Sequence, residues 1–168
     1  MSRTAELQGD LWIPRTMWEK RRQLSGAIQR SMVIGTPMLI LSCDSWTTFF
    51  SRLDLDSAQV NAAMASGRME YIQVLPLSDV TATLAGINLK FQGRGIAQVI
   101  VDDIDLIVDL GNSETAIPSL FAMVYALKSR FSEILLFSNP LPSQNKVRYL
   151  AQMADVLTVH PAVQQNAA

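Results

Sequence analysis

A short run of residues in the second half of the chain constrains the fold more than any other feature. Residues 96–101 are Ile-Ala-Gln-Val-Ile-Val, so they are apolar apart from Gln98, and Asp102 and Asp103 follow directly. A strand that is apolar on both faces has to be covered on both faces, whereas a strand with one solvated face alternates apolar and polar residues. We therefore expect residues 96–101 to form a central strand, buried between two layers.

Four further segments resemble this run, and helical patterns separate the five. The predicted strands are residues 38–41, 70–75, 96–101, 134–137 and 156–159, and the predicted helices are residues 17–34, 49–66, 78–91, 118–130 and 143–153. Residues 54–57 favour a restart of the second helix with a new N-cap, and Pro118 suits the first turn of the fourth. Apolar strands alternating with helices are typical of a parallel sheet with helices on both faces. The predicted fold class is a three-layer α/β domain with a mainly parallel sheet of five or more strands.

The segments outside this pattern predict the domain organisation. Residues 1–16 contain Gly9 and Pro14, which interrupt regular structure, so we expect an irregular N-terminal arm. Residues 17–160 hold all the predicted elements and form one domain, because a chain of 168 residues can bury a single sizeable core. We expect residues 161–168 to be a flexible tail.

Composition excludes several classes of protein. The chain is 49% hydrophobic and 17% charged, which places it with globular rather than disordered sequences. Cys43 is the only cysteine, so an internal disulfide is excluded. No segment approaches the roughly 18 consecutive apolar residues that would span a bilayer. The first residues also lack the pattern of a signal peptide, and we expect a soluble, cytoplasmic protein.

The sequence lacks most familiar catalytic and metal-binding patterns. Cys43 and His160 are the single cysteine and the single histidine and lie far apart, so a structural zinc site is excluded and no metal is expected. No G-x-S-x-G motif presents a serine to His160, which we expect at the end of the last strand. Gly93-Arg94-Gly95 lacks a third glycine and precedes a strand, so it predicts a turn rather than a dinucleotide-binding loop.

Three aspartates lie at predicted carboxyl ends of strands, namely Asp44, Asp102 and Asp103. Ligands bind at these ends in open α/β sheets, where an acid can hold Mg²⁺ or polarise a water molecule. Acids in such positions also cap the helices that follow and keep loop ends soluble. Both interpretations remain open from the sequence.

Four passages of the chain follow one another in a recognisable order. Residues 35–44, Gly-Thr-Pro-Met-Leu-Ile-Leu-Ser-Cys-Asp, contain a helix end, a strand and an acid, and residues 99–103, Val-Ile-Val-Asp-Asp, are similar to a Walker B strand. Residues 121–139 are predicted to form a further helix and strand, followed by Ser-Asn. Residues 151–159 contain Ala-Asp-Val-Leu and include the last predicted strand of the chain. Over residues 17–160 this order resembles the RecA-like ATPase core, especially the branch with replicative hexameric helicases and circadian-clock ATPases.

The resemblance implies roles for individual residues. Asp44 would lie at or beside the family's catalytic acid, and Asp102 would bind the magnesium shell. Asn139 follows Ser138 where many relatives have a Ser-Gln pair that senses phosphate. These roles are expectations that depend on the resemblance.

The phosphate-binding loop is where the sequence departs from that family. The loop requires G-x-x-x-x-G-K-[ST], whose glycines let backbone N–H groups surround the phosphates. Counting back from Pro37 by the family's usual helix length places Lys20 at the position of the loop lysine. Pro14 and Glu19 then stand where the motif has its two glycines, and Arg21 stands where it has Ser or Thr. Proline donates no hydrogen bond and glutamate repels phosphate, so the lysine alone makes no nucleotide site. Lys20 is either a relic that still binds phosphate or an ordinary basic residue on a helix face shared with Arg21 and Arg22.

A retained sheet and a lost loop predict a non-catalytic subunit. By the resemblance, such a pseudo-ATPase needs no cofactor and uses a RecA-like surface to assemble with itself or with a related active ATPase. The setting would be DNA recombination, replication or a similar machine. The alternative is a divergent nucleotide-binding ATPase that uses ATP and Mg²⁺. In both cases the positions of the degenerate nucleotide site are Lys20, Asp44, Asp102 and Asn139.

A second alternative is a nucleic-acid-binding module. The formal net charge of -1 excludes a uniformly basic binder, but residues 1–30 carry six basic side chains against three acidic ones. Proteins that bind single strands combine a basic groove with stacking aromatic side chains. The candidate residues are Arg15, Arg21 and Arg22 in the basic segment 15–30, and Lys146 and Arg148 beyond a later predicted loop.

Large apolar residues near the N-terminus predict a partner-binding surface at Trp12, Met17 and Trp18. Large aromatic side chains are the residues that most often anchor interfaces. A mean hydropathy of +0.18 and eight methionines also favour surfaces covered by a partner. By the resemblance, the segment ahead of a RecA-like core reaches onto a neighbouring subunit. The alternative is that these side chains fold back onto their own sheet and the apolar excess fills a private core.

Overall fold

The structure, a computed structural model, describes residues 9–75, 85–86, 95–107, 113–140, 148 and 150–160. Within these ranges the strands are β1 (Gly9–Trp12), β2 (Met38–Ser42), β3 (Met69–Gln73), β4 (Gln98–Asp102), β5 (Glu133–Phe137) and β6 (Thr158–His160). The α-helices are α1 (Met17–Ile34), α2 (Trp46–Ser51), α3 (Ser57–Ala65), α4 (Ile104–Ile107) and α5 (Ser113–Lys128), and a 3-10 helix spans Gln152–Asp155.

The described strands form one parallel sheet in the order β3-β2-β4-β5-β1-β6. β4 lies between β2 and β5, and Val99 pairs with Leu39 on one side and with Ile134 on the other. Val99, Ile100 and Val101 have no exposed surface. The prediction of a central, doubly covered apolar strand in a parallel sheet is therefore confirmed.

Alternate side chains of each strand divide the core between the two faces of the sheet. Leu39 of β2 belongs to the same cluster as Leu120 of α5. The preceding residue, Met38, belongs to the cluster on the opposite face, with Ile28 of α1 and Val60 of α3. Because successive strand residues point to opposite faces, each apolar strand contributes to both clusters. Helices cover both faces, so the three-layer α/β fold is confirmed and is consistent with a RecA-like arrangement.

The helix boundaries follow local capping signals. Thr16 Oγ1 accepts the N–H of Glu19 at 3.0 Å at the start of α1, and Gly35 ends the helix in the left-handed region with φ 81°. Asp56 accepts the N–H of Ala58 at 2.8 Å, which confirms the predicted restart before α3. No helix in the described ranges combines the length and the apolar character needed to cross a membrane.

The N-terminal segment differs from the prediction. Residues 9–12 are not irregular: they form β1, which lies inside the sheet between β5 and β6. Gly9 does not interrupt this strand. A Cβ at this position would lie 2.6 Å from Leu157 Cδ2, so glycine is what permits the close approach of these residues. Leu11 is fully buried, and Trp12 pairs in register with Phe137. The hydrogen bonds of β1 come from strands distant in sequence, which no local pattern reveals.

Two further boundaries differ. α5 begins at Ser113, so Pro118 lies inside the helix rather than in its first turn. The last strand is Thr158–His160, later than predicted, because Gln152–Asp155 forms a 3-10 helix that delays it. Several predicted elements lie outside the described residues, namely the helix over residues 78–91, most of the helix over 143–153, the turn at Gly93-Arg94 and the tail over 161–168. Residues 1–8 of the predicted arm also lie outside them.

Candidate functional site

A small cleft lies where β2, β4 and β5 end and α1 begins, and we call it the strand-end cleft. Its volume is about 180 Å³. Its lining includes all four positions to which the RecA-like resemblance assigns roles, namely Lys20, Asp44, Asp102 and Asn139. Parallel strands end at the same edge of a sheet, which is why residues distant in sequence meet here.

Lys20 forms a buried ion pair with the end of β4. Its Nζ lies 2.5 Å from Asp102 Oδ1 and 3.6 Å from Asp103 Oδ2. The lysine is only 4% exposed, whereas Arg21 and Arg22 are exposed. Consecutive helical residues point about 100° apart, and Lys20 points toward the sheet. The interpretation of Lys20 as one of three residues on a shared basic face is therefore wrong.

Burial controls the protonation of Asp102. The pKa of Asp102 is raised from 3.8 to about 6, and desolvation is the largest cause. The positive charge of Lys20 and its hydrogen bond oppose this rise, while the negative charges of Asp103 and Asp44 add to it. A buried ion pair is favourable only when charge and hydrogen bonds compensate the lost hydration. Here the chain's own lysine offsets only part of the lost hydration, so the pKa of Asp102 stays raised.

The other two aspartates at this edge have partners close in sequence. Asp103 Oδ1 accepts the N–H of Asp105 at 2.8 Å and so caps the start of α4. Arg52 donates a hydrogen bond to Asp44 Oδ2 at 3.1 Å, and both side chains are partly exposed. Exposed ion pairs of this kind contribute little stability. The capping interpretation is confirmed for Asp103.

Cys43 lines the same cleft, and its surroundings disfavour the thiolate. Burial, with the charges of Asp103 and Asp44 acting in the same direction, raises the pKa of the Cys43 thiol to about 11. The thiolate is the reactive form of cysteine, so the raised pKa disfavours reaction of this thiol at neutral pH. Over the part of the chain that the structure describes, no three His, Cys, Asp or Glu side chains are placed to hold a metal ion.

The connection between β1 and α1 is where the RecA-like resemblance would place a phosphate-binding loop. It consists of residues 13–16 alone. Thr16 Oγ1 accepts the N–H of Glu19 at 3.0 Å, and Glu19 Oε2 accepts the N–H of Arg15 at 3.1 Å. These two hydrogen bonds, which resemble a capping box shifted by one residue, use N–H groups that an anion would need, and Pro14 has none. The residues present do not fit the phosphates of a nucleotide.

A larger groove runs beside α1 over β5 and β1, and we call it the α1 groove. Its volume is about 970 Å³. Trp12, Leu135 and Phe137 of the sheet and Trp18 and Arg22 of the helix line it. The groove therefore combines an apolar floor with a charged and aromatic wall.

The predicted partner-binding residues divide between two environments. Trp12 is half-buried and stacks on His160, with ring centroids 3.9 Å apart. His160 ends β6, as predicted, and its Nε2 lies 2.7 Å from Asp10 Oδ1. Met17 and Trp18 are 41% and 68% exposed. Trp12 thus folds onto its own sheet, whereas Met17 and Trp18 face solvent.

The predicted nucleic-acid contacts do not form one continuous basic surface. Arg15 pairs with the glutamate four residues later, and Arg21 lines the strand-end cleft. The guanidinium of Arg22 lies 5.4 Å from the ring centroid of Trp18. Arg148 is exposed in the helical segment before the 3-10 helix, and Lys146 lies outside the described residues.

Sequence reasoning missed three charged residues of the α1 groove, namely Asp10, Arg30 and Glu133. Asp10 meets His160 from the other end of the chain, so no local signal could have joined them. Arg30 follows Arg22 by eight residues, and this spacing places both on one side of a helix. That signal was available in the sequence.

Comparison with known proteins identifies no family. No protein-family model matches the chain. No curated protein matches it either.

Proposed function

We propose that the chain is a non-catalytic, RecA-like interaction subunit, a pseudo-ATPase that retains an ATPase-like sheet without nucleotide chemistry. It acts in the cytoplasm and assembles with itself or with a related active ATPase, in a DNA recombination, replication or similar machine. One observation carries the proposal: in the short β1–α1 connection, Thr16 and Glu19 bond to the chain's own N–H groups.

The buried ion pair supports the proposal. A lysine that binds phosphate has to be free to approach it, but Lys20 already contacts Asp102 and Asp103. Moving its ammonium group to a phosphate would leave two buried carboxylates without their cation, which is strongly unfavourable. The role of Lys20 is therefore to hold α1 against the end of β4.

The distribution of exposed apolar side chains supports a binding role. Among the described residues, four of the seven exposed large apolar side chains belong to α1, namely Met17, Trp18, Val33 and Ile34. They form two exposed apolar pairs, one in the first turn of α1 and one in its last, and exposed apolar patches mark protein interaction sites. The surface of α1 is therefore where we expect a partner.

Isothermal titration calorimetry with Mg-ATP tests the loss of nucleotide binding. We expect no heat of binding, and micromolar affinity would overturn the proposal. If heat is observed, Lys20→Met should remove binding in the strand-end cleft, whereas Arg68→Met, at an exposed position outside the cleft lining, should not. Light scattering of the purified chain, and its co-purification with an ATPase from the native host, test the assembly.

A divergent ATPase is the second candidate, favoured by the convergence of Lys20, Asp44, Asp102 and Asn139 on one cleft. It predicts phosphate release from ATP that disappears in Asp102→Asn. The matched variant Asp54→Asn, at an exposed position outside the cleft lining, should retain it. Phosphate release no faster than in buffer would refute this candidate.

A further inference from the structure

The α1 groove lies over a half of the sheet that the described helices leave open. On this face Leu135 and Phe137 of β5 are buried under the α1 side of the core. Asp10, Trp12 and His160, on the neighbouring strands β1 and β6, remain partly exposed, and Thr158 is exposed. In a three-layer α/β fold, helices normally cover such strands. Within the described ranges, the missing cover is next to α1.

One row of side chains on α1 forms a ridge beside this groove. Residues at a spacing of four are neighbours on a helix surface, and the row Trp18, Arg22, Gly26, Arg30 and Ile34 turns by about 40° around the helix at each step. Trp18 and Ile34, at the two ends, are 68% and 77% exposed. The guanidinium of Arg30 lies across Gly26, where a Cβ would approach its Nη1 to 3.2 Å. The ridge thus has apolar ends and a basic centre.

The two arginines of the ridge lack acidic partners. Neither Arg22 nor Arg30 forms an ion pair with any residue that the structure describes; Arg22 rests on the ring of Trp18. They are eight residues apart, which is about 12 Å along the helix axis. A partner with two carboxylates at this separation would satisfy both guanidinium groups.

The other charges of the groove indicate a protein rather than a nucleic acid. Asp10, Glu19 and Glu133 line the groove together with Arg15, Arg22 and Arg30, so the formal charges balance. A phosphate backbone would have to approach Asp10 and Glu133 on the floor, and the repulsion would oppose it. A peptide can place carboxylates at the arginine wall and apolar side chains on the Trp12 and Phe137 floor.

A second copy of this chain does not provide the complement. Each described helix contains at most one acidic residue: Glu19 in α1, Asp105 in α4, Glu114 in α5 and Asp155 in the 3-10 helix. None can present two carboxylates about 12 Å apart along one helix axis. Among the described helices a second copy therefore offers no matching pair of carboxylates, and we assign the occupant to a different protein.

We propose that the α1 groove binds an amphipathic helix of another protein, with its apolar stripe on the sheet and two acidic residues, about eight positions apart, facing Arg22 and Arg30. The bound helix would lie beside α1 and complete the open layer over β1 and β6. This inference rests on the proposed role as an interaction subunit and specifies the chemistry of its partner.

A displayed library of 18-residue amphipathic helices, with a fixed leucine stripe and randomised flanking positions, provides the probe. Selection against the purified chain should enrich Asp or Glu at two positions about eight residues apart. Selection against Arg22→Glu/Arg30→Glu should enrich Lys or Arg at the same positions. Both arginines are outside the buried core, so the variant should keep its circular dichroism spectrum.

Affinities of the best acidic peptide, measured by fluorescence anisotropy, complete the test. Arg22→Glu/Arg30→Glu should weaken binding at least about tenfold, since like charges then face each other. The control variant Arg21→Glu/Arg68→Glu reverses the charge of two exposed arginines that do not line the groove. It should leave the affinity for the peptide within about twofold of the wild-type value.

Several outcomes would overturn the proposal: no binder, binders without acidic bias, equal loss in both double variants, or a change in oligomeric mass with Arg22→Glu/Arg30→Glu. Groove-dependent binding of an oligo-dT single strand would also overturn it, in favour of a nucleic-acid site. Failure of the proposed function is recognised separately, because Mg-ATP binding at the strand-end cleft leaves the peptide result unchanged.

Discussion

The strand-end cleft and the α1 groove use charge in opposite ways. In the cleft, Lys20 is buried against Asp102 and Asp103, and the chain satisfies its own charges. In the groove, Arg22 and Arg30 are solvent-facing and find no carboxylate among the described residues. The buried charges of the cleft, where an ATPase would act, pair with one another, whereas two exposed arginines of the groove have no carboxylate partner among the described residues. The comparison separates residues that maintain the fold from residues that we propose to bind a partner.

Removal of the buried lysine tests this comparison most severely. Lys20→Met should lower the free energy of unfolding by about 3–5 kcal/mol, because it leaves two buried carboxylates without their cation. Arg21→Met, one residue away and exposed, should change it by no more than about 0.5 kcal/mol. Urea denaturation measures both variants. Equal, small effects would mean that the ion pair is not structural.

The two tryptophans of the N-terminal segment offer a matched pair. Trp12→Ala should lower the free energy of unfolding by roughly 2–3 kcal/mol, since the half-buried ring stacks on His160 within the sheet. Trp18→Ala should alter stability by about 0.5 kcal/mol or less, because its ring is mostly exposed. Thermal melts and light scattering give both values. A stable Trp12→Ala chain with reduced oligomeric mass would instead assign that ring to an interface.

Protonation of Asp102 should leave a signature in the pH dependence of stability. Its pKa is raised in the folded state from 3.8 to about 6, so the folded state binds the proton more tightly than the unfolded chain. This contribution to stability is complete below the unfolded value and is lost as pH rises through about 6. Relative to Asp102→Asn, the wild-type chain should therefore lose stability between about pH 4 and pH 7. Denaturant titrations at each pH measure the free energy of unfolding of both chains. A constant difference between the wild type and Asp102→Asn across this pH range would contradict the prediction.

The smallest predicted effect concerns the start of α1. Thr16→Ala should destabilise the chain by about 1 kcal/mol, because the N–H of Glu19 loses its capping acceptor. Thr16→Ser retains a hydroxyl and should stay within about 0.5 kcal/mol of the wild type. Urea denaturation distinguishes the two. A neutral Thr16→Ala variant would show that the cap does not hold this turn, and the argument against phosphate binding would lose its main support.

Local patterns were sufficient for much of the fold. Continuous apolar runs predict strands buried on both faces, and β4 has that environment, with Val99 and Val101 completely buried. Caps and stops at Thr16, Gly35 and Asp56 act within a few residues of themselves, so helix boundaries near them can be predicted from the sequence.

Tertiary structure alone decided the features that depend on distant partners. β1 is a strand because β5 and β6 provide its hydrogen bonds, although Gly9 and Pro14 suggest a break. Lys20 is buried because α1 turns it toward the end of β4, where two carboxylates meet it. A local sequence pattern determines what one segment can form, whereas the pairing of charges and strands depends on which segments the completed sheet brings together.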